Sequence, residues 1–298
     1  MIRNLSKIGL GVANRQNEMI ELALTNQFAA IEIDMDDMVG RAESFGNEFA
    51  CQFIKSCKVN PGIFELPIDF GANDDAYEKA LKRLDHIVEL AESTSANRCY
   101  AVISPYSDDL AYHENFEKQR ERIAGVAEKL AARGIQLGLA LNAFESARQG
   151  KNHEFIYKVE DLLTFIKAIG QSNVGIAFDA FQWVIGGGSN DQLESLSVDE
   201  IIDVRLSDFP GSVDPAKASN SDRQLPGTDE GSICQTVYDW LVKNNYTGTV
   251  AVCANGRNLK SENPQHIVAQ YKRLLDSLDG KEDPVAEEPE TEPVAAAE

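Results

Sequence analysis

Short apolar runs alternate with amphipathic stretches along most of the chain. Several of the apolar runs are rich in β-branched residues, as is typical of strands that are covered on both faces. The runs lie at 7–12, 29–34, 62–68, 99–104, 135–141, 174–179, 202–207 and 248–253. Because eight strands alternating with helices make up a (β/α)₈ barrel, the pattern predicts an α/β fold of the TIM-barrel type.

The amphipathic stretches follow a helical period most clearly at 74–95, 114–133, 158–169 and 264–278. The period is weakest over 40–57. Asp74 is expected to cap a helix, and Pro264 suits a first helical turn. Gly134 and Gly170 lie just past predicted helix ends, where a left-handed residue is favoured.

The last 19 residues differ from the rest of the chain. They include seven acidic residues and three prolines and no aromatic residue. Such a segment buries too little apolar surface to offset the entropy lost on ordering. We therefore expect a barrel domain over 1–279 and a disordered acidic tail over 280–298.

The net charge of −20 argues against nucleic acid and anionic membranes as partners, since both bind clustered Lys and Arg. No apolar run reaches the length of a membrane span, and the first residues lack the apolar stretch of a secretory leader. The five cysteines form no CxxC pair, a pattern typical of reduced thiols. We expect a cytoplasmic protein.

Four segments of the second half resemble the last strand ends of one family of barrels. They read VGIAFDAFQW at 174–183, IIDVRLSDFPG at 201–211, DRQLPGTDEG at 222–231 and YTGTVAVCANG at 246–256. In order and spacing they are similar to the xylose isomerase-like TIM barrels, the sugar phosphate isomerase/epimerase family, which includes an endonuclease-like branch. The resemblance runs from about residue 5 to 278 and implies isomerase or epimerase chemistry on a sugar.

The family holds a divalent metal at the barrel mouth with Glu, Asp, His and Glu. The resemblance places Asp179 at the Asp position, but Ala140, Arg205 and Cys253 at the other three. Gln182 likewise replaces a further histidine. Magnesium and manganese need several oxygen ligands and zinc needs three or four donors, whereas alanine offers none and arginine is cationic. We therefore expect no metal and no other cofactor.

The polar residues left at the mouth support several interpretations. Asp179 and Arg205 end neighbouring predicted strands, so we expect them to pair, with the guanidinium in the place of the cation. The pair is either part of a ligand pocket or purely structural. Arg223 either holds a phosphate or carboxylate of the ligand or fixes its own loop. Cys253 is either a nucleophile or a buried, inert thiol.

The predicted ligand contacts are Asp179, Gln182, Trp183, Arg205, Asp208, Arg223 and Cys253. Glu32 and Glu65 lie in or beside apolar strands and form a pair of carboxylates that suits acid–base work. If catalysis occurs, its candidates are Asp179, Glu32 and Arg205.

Three functions are consistent with these observations. The first is a metal-free family member that binds a sugar-like or polyol ligand with little or no isomerase activity. The second is an active sugar isomerase or epimerase with an altered, metal-independent site. The third is a non-enzymatic scaffold that acts through its acidic tail. Loss of metal ligands at several separate positions favours the first and third.

Overall fold

Eight parallel strands close into a barrel in the computed structural model of the protein, which describes residues 1–7, 10, 16–227, 231–254 and 263–280. Each strand pairs with its neighbours in the sequence, and the last strand pairs with the first. The strands are β1 Ile2–Leu5, β2 Ala30–Ile33, β3 Asn60–Glu65, β4 Arg98–Val102, β5 Gln136–Ala140, β6 Val174–Asp179, β7 Ile201–Leu206 and β8 Thr249–Val252. The predicted (β/α)₈ fold is confirmed.

Helices surround the barrel and cover its outer face. They are α1 Gln16–Thr25, α2 Met35–Phe45, α3 Asn47–Lys55, α4 Asp74–Thr94, α5 Tyr112–Ala131, α6 Glu145–Arg148, α7 Val159–Ile169, α8 Ala180–Ile185, α9 Asn190–Ser195, α10 Ile233–Lys243 and α11 Pro264–Leu278. The residues Tyr106–Ser107 and His153–Glu154 form a separate antiparallel pair beside the barrel. None of the helices in the described ranges is long and apolar enough to cross a lipid bilayer.

The first strand lies earlier than the prediction of 7–12. Ile2 pairs with Thr249 and Asn4 pairs with Ala30, so β1 closes the barrel between β8 and β2. Side chains alternate along a strand, and here Leu5 is buried in the main core while the polar Asn4 is buried as well. That polar position interrupts the apolar run, which explains why the pattern missed the strand. Much of 7–12 lies outside the described residues.

Most helix predictions are confirmed to within two residues. The weak period over 40–57 has a cause, because two helices, α2 and α3, meet there at Gly46, whose φ of 90° breaks the helical path. The predicted cap of α4 is wrong by one residue. Asn73 accepts a hydrogen bond from the amide of Ala76, and Asp74 is the first helical residue. The predicted tail beyond Gly280 lies outside the described residues.

The barrel has two kinds of interior. A large apolar core lies between strands and helices, whereas a small cluster of Ile63, Tyr100, Ala140 and Ala177 lies apart from it. Buried polar and charged side chains accompany the small cluster on the inward faces of the strands: Asn4, Ser6, Glu32, Asp203, Arg205 and Thr249. A barrel normally fills this space with branched apolar residues. These buried polar side chains therefore indicate a candidate functional site inside the barrel.

Candidate ligand site at the mouth of the barrel

The four positions that the family resemblance singles out lie together at the carboxyl ends of β5 to β8. Ala140 and Asp179 are the last residues of β5 and β6, and Arg205 lies opposite Asp179 in the pairing of β6 with β7. Cys253 follows β8 directly and donates its amide proton to the carbonyl of Leu206. This is the face of a TIM barrel on which active sites are built.

Asp179 pairs with Arg223, and the predicted pair with Arg205 is wrong. Arg223 Nη1 and Nη2 lie 2.9 and 2.7 Å from the two carboxylate oxygens of Asp179. Nη1 also donates to Ser207 Oγ at 2.7 Å, and Nε donates to Asn220 Oδ1 at 3.1 Å. The guanidinium stacks over the ring of Phe181 at 4.7 Å. Arg223 is thus fully engaged within the chain, as the structural interpretation of this residue requires.

The carboxylate of Asp179 has a second task at the start of α8. Its Oδ1 accepts hydrogen bonds from the amides of Phe181 and Gln182, at 3.0 and 3.2 Å. Burial alone raises the pKa of Asp179, but the charge and hydrogen bonds of Arg223 and the amide of Gln182 outweigh it, so the pKa is lowered. Asp179 is therefore ionised at neutral pH, and its oxygens are engaged by groups of the chain.

Arg205 lies across the interior of the barrel. Its Nε donates to Asp203 Oδ2 at 3.2 Å, and its guanidinium lies 3.8 Å from the ring centre of Tyr100, on β4. Burial opposes the charge of Arg205, but Tyr100, Asp203 and Glu32 favour it, and its pKa is raised. Asp203 also accepts from Thr249 Oγ1 at 2.7 Å. The side chain is charged and is held at both its Nε and its planar face.

Tyr100 joins the two carboxylates that the sequence offered for acid–base work. Its hydroxyl lies 3.0 Å from Glu32 Oε1 and 3.2 Å from Glu65 Oε2, and Glu32 also accepts from the hydroxyl of Ser6. Burial and the nearby Glu32 raise the pKa of Tyr100, so the phenol keeps its proton. Glu32 is buried and Glu65 is exposed, so the hydroxyl connects a solvent-facing carboxylate to an interior one.

Sequence reasoning missed Tyr100. A tyrosine within the apolar run CYAVIS is explained equally well by core packing. The signal available was the alternation of β4. Ala101 faces the main core, so Tyr100 and Val102, on either side of it, face the barrel interior.

Two of the predicted ligand contacts hold the mouth together, and a third is a buried thiol. Gln182 is buried, and its Oε1 accepts from the amide of Ala143 at 2.8 Å. Asp208 accepts from the hydroxyl of Ser232 and from the amide of Cys234, which ties the loop after β7 to the start of α10. Cys253 is buried, and burial raises the pKa of its thiol to about 12, as an inert thiol requires.

Trp183 packs inside the barrel wall, with its ring centre 4.7 Å from that of Phe178. It also explains part of the triple glycine at 186–188, because a Cβ on Gly188 would lie 2.4 Å from the indole ring. Ligand contact by these buried residues stays a prediction.

The residues at the mouth do not fit the divalent metal of the family. Among the described residues, no group of three or more His, Cys, Asp or Glu is arranged to hold a metal ion. Ala140 supplies no donor atom, and the one retained carboxylate, Asp179, is bound by a guanidinium. A cation there would have to displace a buried positive charge.

A closed parallel barrel with polar groups at the carboxyl ends of its strands defines a TIM-barrel protein with a candidate site at its mouth. The sequence model of the xylose isomerase-like TIM barrel family matches residues 18–278. The chain belongs to this family. No curated protein sequence matches it significantly.

Solved structures agree with this assignment. A xylose isomerase domain protein from Alicyclobacillus acidocaldarius superposes with a TM-score of 0.82 at 21% identity, covering 94% of this chain and 98% of the other. The zinc-binding IolI protein gives a TM-score of 0.78 at 13% identity over 93% and 98%. D-psicose 3-epimerase from Clostridium cellulolyticum H10, solved with D-tagatose, gives 0.70 at 13% over 94% and 99%. At these identities the similarity establishes the fold.

Proposed function

We propose that this barrel binds a sugar-like or polyol ligand at its mouth without a divalent metal and has little or no isomerase activity. Family membership and the neighbours that act on sugars support a polyhydroxylated ligand. The polar interior around Tyr100 and Arg205 supports it as well, because small-molecule sites combine apolar walls with a few well-placed polar groups.

The bidentate contact between Arg223 and Asp179 carries the proposal. Asp179 is the only carboxylate at the four ligand positions, and both its oxygens lie within 2.9 Å of a guanidinium nitrogen. A metal ion needs the lone pairs that Arg223 now uses, and it would be repelled by the guanidinium at short range. The positive charge that the family obtains from an ion is supplied here by the chain.

Metal analysis followed by ligand screening tests the proposal. The purified protein is assayed for bound metals, titrated with Mn²⁺ and Zn²⁺ by calorimetry, and then screened by thermal shift against neutral sugars, polyols and their acids. We expect no stoichiometric metal and a rise in the unfolding temperature with a subset of the sugar compounds. Tight binding of one metal ion per chain would contradict metal independence.

A second candidate is a metal-independent isomerase or epimerase, and the hydroxyl of Tyr100 between Glu32 and Glu65 favours it. A phenol that bridges two carboxylates can pass a proton between the exposed one and the buried one. Incubation with D-fructose or D-tagatose in D₂O tests this activity, because proton abstraction next to a carbonyl introduces deuterium into the sugar. The control is Tyr112→Phe, at the half-exposed start of α5. Deuterium incorporation that is lost in Tyr100→Phe but kept in this control would establish isomerase or epimerase activity.

We further propose a cytoplasmic protein that does not bind nucleic acid. All five cysteines are free, as expected in a reducing compartment, and the net charge of −20 disfavours a polyanion. Labelling with a thiol reagent immediately after denaturing lysis tests the first statement, since oxidised cysteines would not react.

A further inference from the structure

One nitrogen of Arg205 has no hydrogen-bond partner. Nη2 is buried and has no acceptor among the described residues, and the whole side chain is only 7% exposed. Arg223, at the same mouth, uses Nε, Nη1 and Nη2. A buried charged donor without an acceptor costs free energy, so such groups are normally satisfied by water, an ion or a ligand.

The neighbours of Arg205 hold this nitrogen in a fixed position. Asp203 accepts from Nε on one edge, and the ring of Tyr100 covers one face of the guanidinium. Because the guanidinium is planar and rigid, fixing Nε and the face also fixes the direction of the Nη2 protons. Binding a ligand at these protons therefore costs little side-chain entropy of Arg205.

Solvent reaches the barrel just above this point. Val102 follows Tyr100 by two residues on the same inward face of β4, and it is 45% exposed. Val102 pairs with Ala140, where a small side chain stands at the end of β5. Glu65, at the end of β3, is exposed as well. The exposed Val102 and Glu65 thus mark the solvent-facing end of the layer that Tyr100 and Arg205 form.

We propose that Arg205 Nη2 binds an anionic oxygen of the ligand, so that the ligand is a sugar acid, a polyhydroxylated monocarboxylate. The inference rests on the proposed function and names the class of molecule that the mouth takes. The carboxylate binds Arg205, and the hydroxyl groups lie toward Glu65 and the outer mouth.

The other charges of the interior favour one negative charge over two. Glu32, Asp179 and Asp203 surround the same space, and Arg205 and Arg223 are its cations. A monocarboxylate adds a single charge beside the unpaired nitrogen. A phosphate monoester adds between one and two charges at neutral pH, and the neighbouring carboxylates would repel the larger charge more strongly.

Matched pairs of ligands test the inference by calorimetry and thermal shift. The pairs are D-gluconate with D-glucitol and D-galacturonate with D-galactose, and D-glucose 6-phosphate is the dianionic probe. We expect each acid to bind at least about tenfold tighter than its neutral partner, since a hydrogen bond between charged groups contributes at least that factor. Arg205→Met should abolish the difference, and Arg205→Lys should keep part of it.

Arg148 provides the matched control. Its guanidinium also stacks on a tyrosine, Tyr157, at 3.6 Å, and pairs with the carboxylate of Glu154 at 2.8 Å. Its Nε has no partner among the described residues. Arg148 lies in α6, outside the barrel interior. Arg148→Met should therefore leave the preference for the acid unchanged, and a loss of the preference there would place the anion at Arg148 and overturn the inference.

The remaining outcomes separate this inference from the proposed function. Equal affinity for the acid and its neutral partner in the wild type would overturn the sugar-acid inference and leave ligand binding intact, and this comparison does not depend on any variant folding. Tighter binding of the phosphate ester than of either acid would contradict the monocarboxylate. If none of the five compounds binds, both proposals fall.

Discussion

Arg223 binds the carboxylate of Asp179 through two hydrogen bonds of 2.9 and 2.7 Å, across 44 residues of sequence. The planar fork of a guanidinium matches a carboxylate in this geometry, which is among the stronger polar contacts in proteins. Both side chains are almost completely buried. The contact ties the loop after β7 to the end of β6, and so fixes the rim of the mouth.

We expect the buried pair to show strong coupling in a double-mutant cycle. Asp179→Ala and Arg223→Ala should each reduce the free energy of unfolding by about 3–5 kcal/mol, because each leaves the other charge buried without a partner. The double variant should lose clearly less than the sum of the two. Urea denaturation of the four proteins measures the coupling.

An exposed pair serves as the control for this cycle. Lys243 and Glu194 lie 3.0 Å apart, but their side chains are 65% and 56% exposed. Solvent screening limits such pairs to less than about 1 kcal/mol. Equal coupling in the two cycles would mean that Asp179 and Arg223 do not form the buried contact.

Acid should destabilise the protein partly through Asp179. Burial raises the pKa of Asp179, but Arg223 lowers it by a larger amount. The folded pKa therefore lies below the unfolded value of about 3.9. The resulting stability is present above the unfolded pKa and is lost as the pH falls through the folded one. Between about pH 5 and pH 2, Asp179→Asn should therefore lose less unfolding free energy than the wild type. Parallel acid limbs in urea titrations would contradict the assigned pair.

Restoring a metal site should require the release of Asp179 as well as new ligands. Ala140→Glu, Arg205→His and Cys253→Glu together supply three donors at neighbouring strand ends, but Arg223 still occupies Asp179. We expect this triple variant to bind Mn²⁺ weakly and the quadruple variant with Arg223→Leu to bind one ion per chain, as measured by calorimetry.

Gln182 is left unchanged in that design, because its side chain accepts a hydrogen bond from the amide of Ala143. A histidine at this position would remove the contact. Equal metal affinity of the triple and quadruple variants would show that Arg223 does not compete for Asp179. A folded quadruple variant without affinity would show that the strand ends are placed differently.

Two glycines should respond to alanine in opposite directions. A Cβ on Gly175, in β6, would lie 2.2 Å from the carbonyl oxygen of Glu200, and backbone cannot easily move aside. Gly175→Ala should cost about 1–3 kcal/mol by overpacking. Gly125, inside α5, has no described atom within 4 Å of the added one, so Gly125→Ala should stabilise by about 1 kcal/mol. Thermal unfolding of both variants checks the signs, and a stabilised Gly175→Ala would contradict the tight wall between β6 and the turn before β7.

The sequence allowed the strand ends to be predicted because apolar runs, family spacing and helix punctuation agree there. The four positions from Ala140 to Cys253 lie where the resemblance put them. The partner of Asp179 could not be predicted from the sequence, because it depends on the path of the loop after β7. Reciprocal backbone hydrogen bonds of 3.0 Å between Asp208 and Gln224 fold that loop back, and they bring Arg223 over the mouth.

The interior polar layer was equally hard to foresee. Glu32 was visible as a charge within an apolar strand, but its partner Ser6 comes from the chain just after β1 and its partner Tyr100 comes from β4. No local pattern links residues that meet only when a barrel closes. Periodicity identifies which face of a strand a residue occupies, but it does not identify the residue across the interior.

Arg205 and Arg223 belong to the polypeptide, and this changes what the environment can do to the mouth of the barrel. Chelators cannot remove a guanidinium, metal starvation cannot empty its place, and a competing ion cannot take it. Its charge also persists at any physiological pH. The positive charge at the mouth is thus delivered with each copy of the chain as it folds, whatever the supply of trace metals in the surroundings.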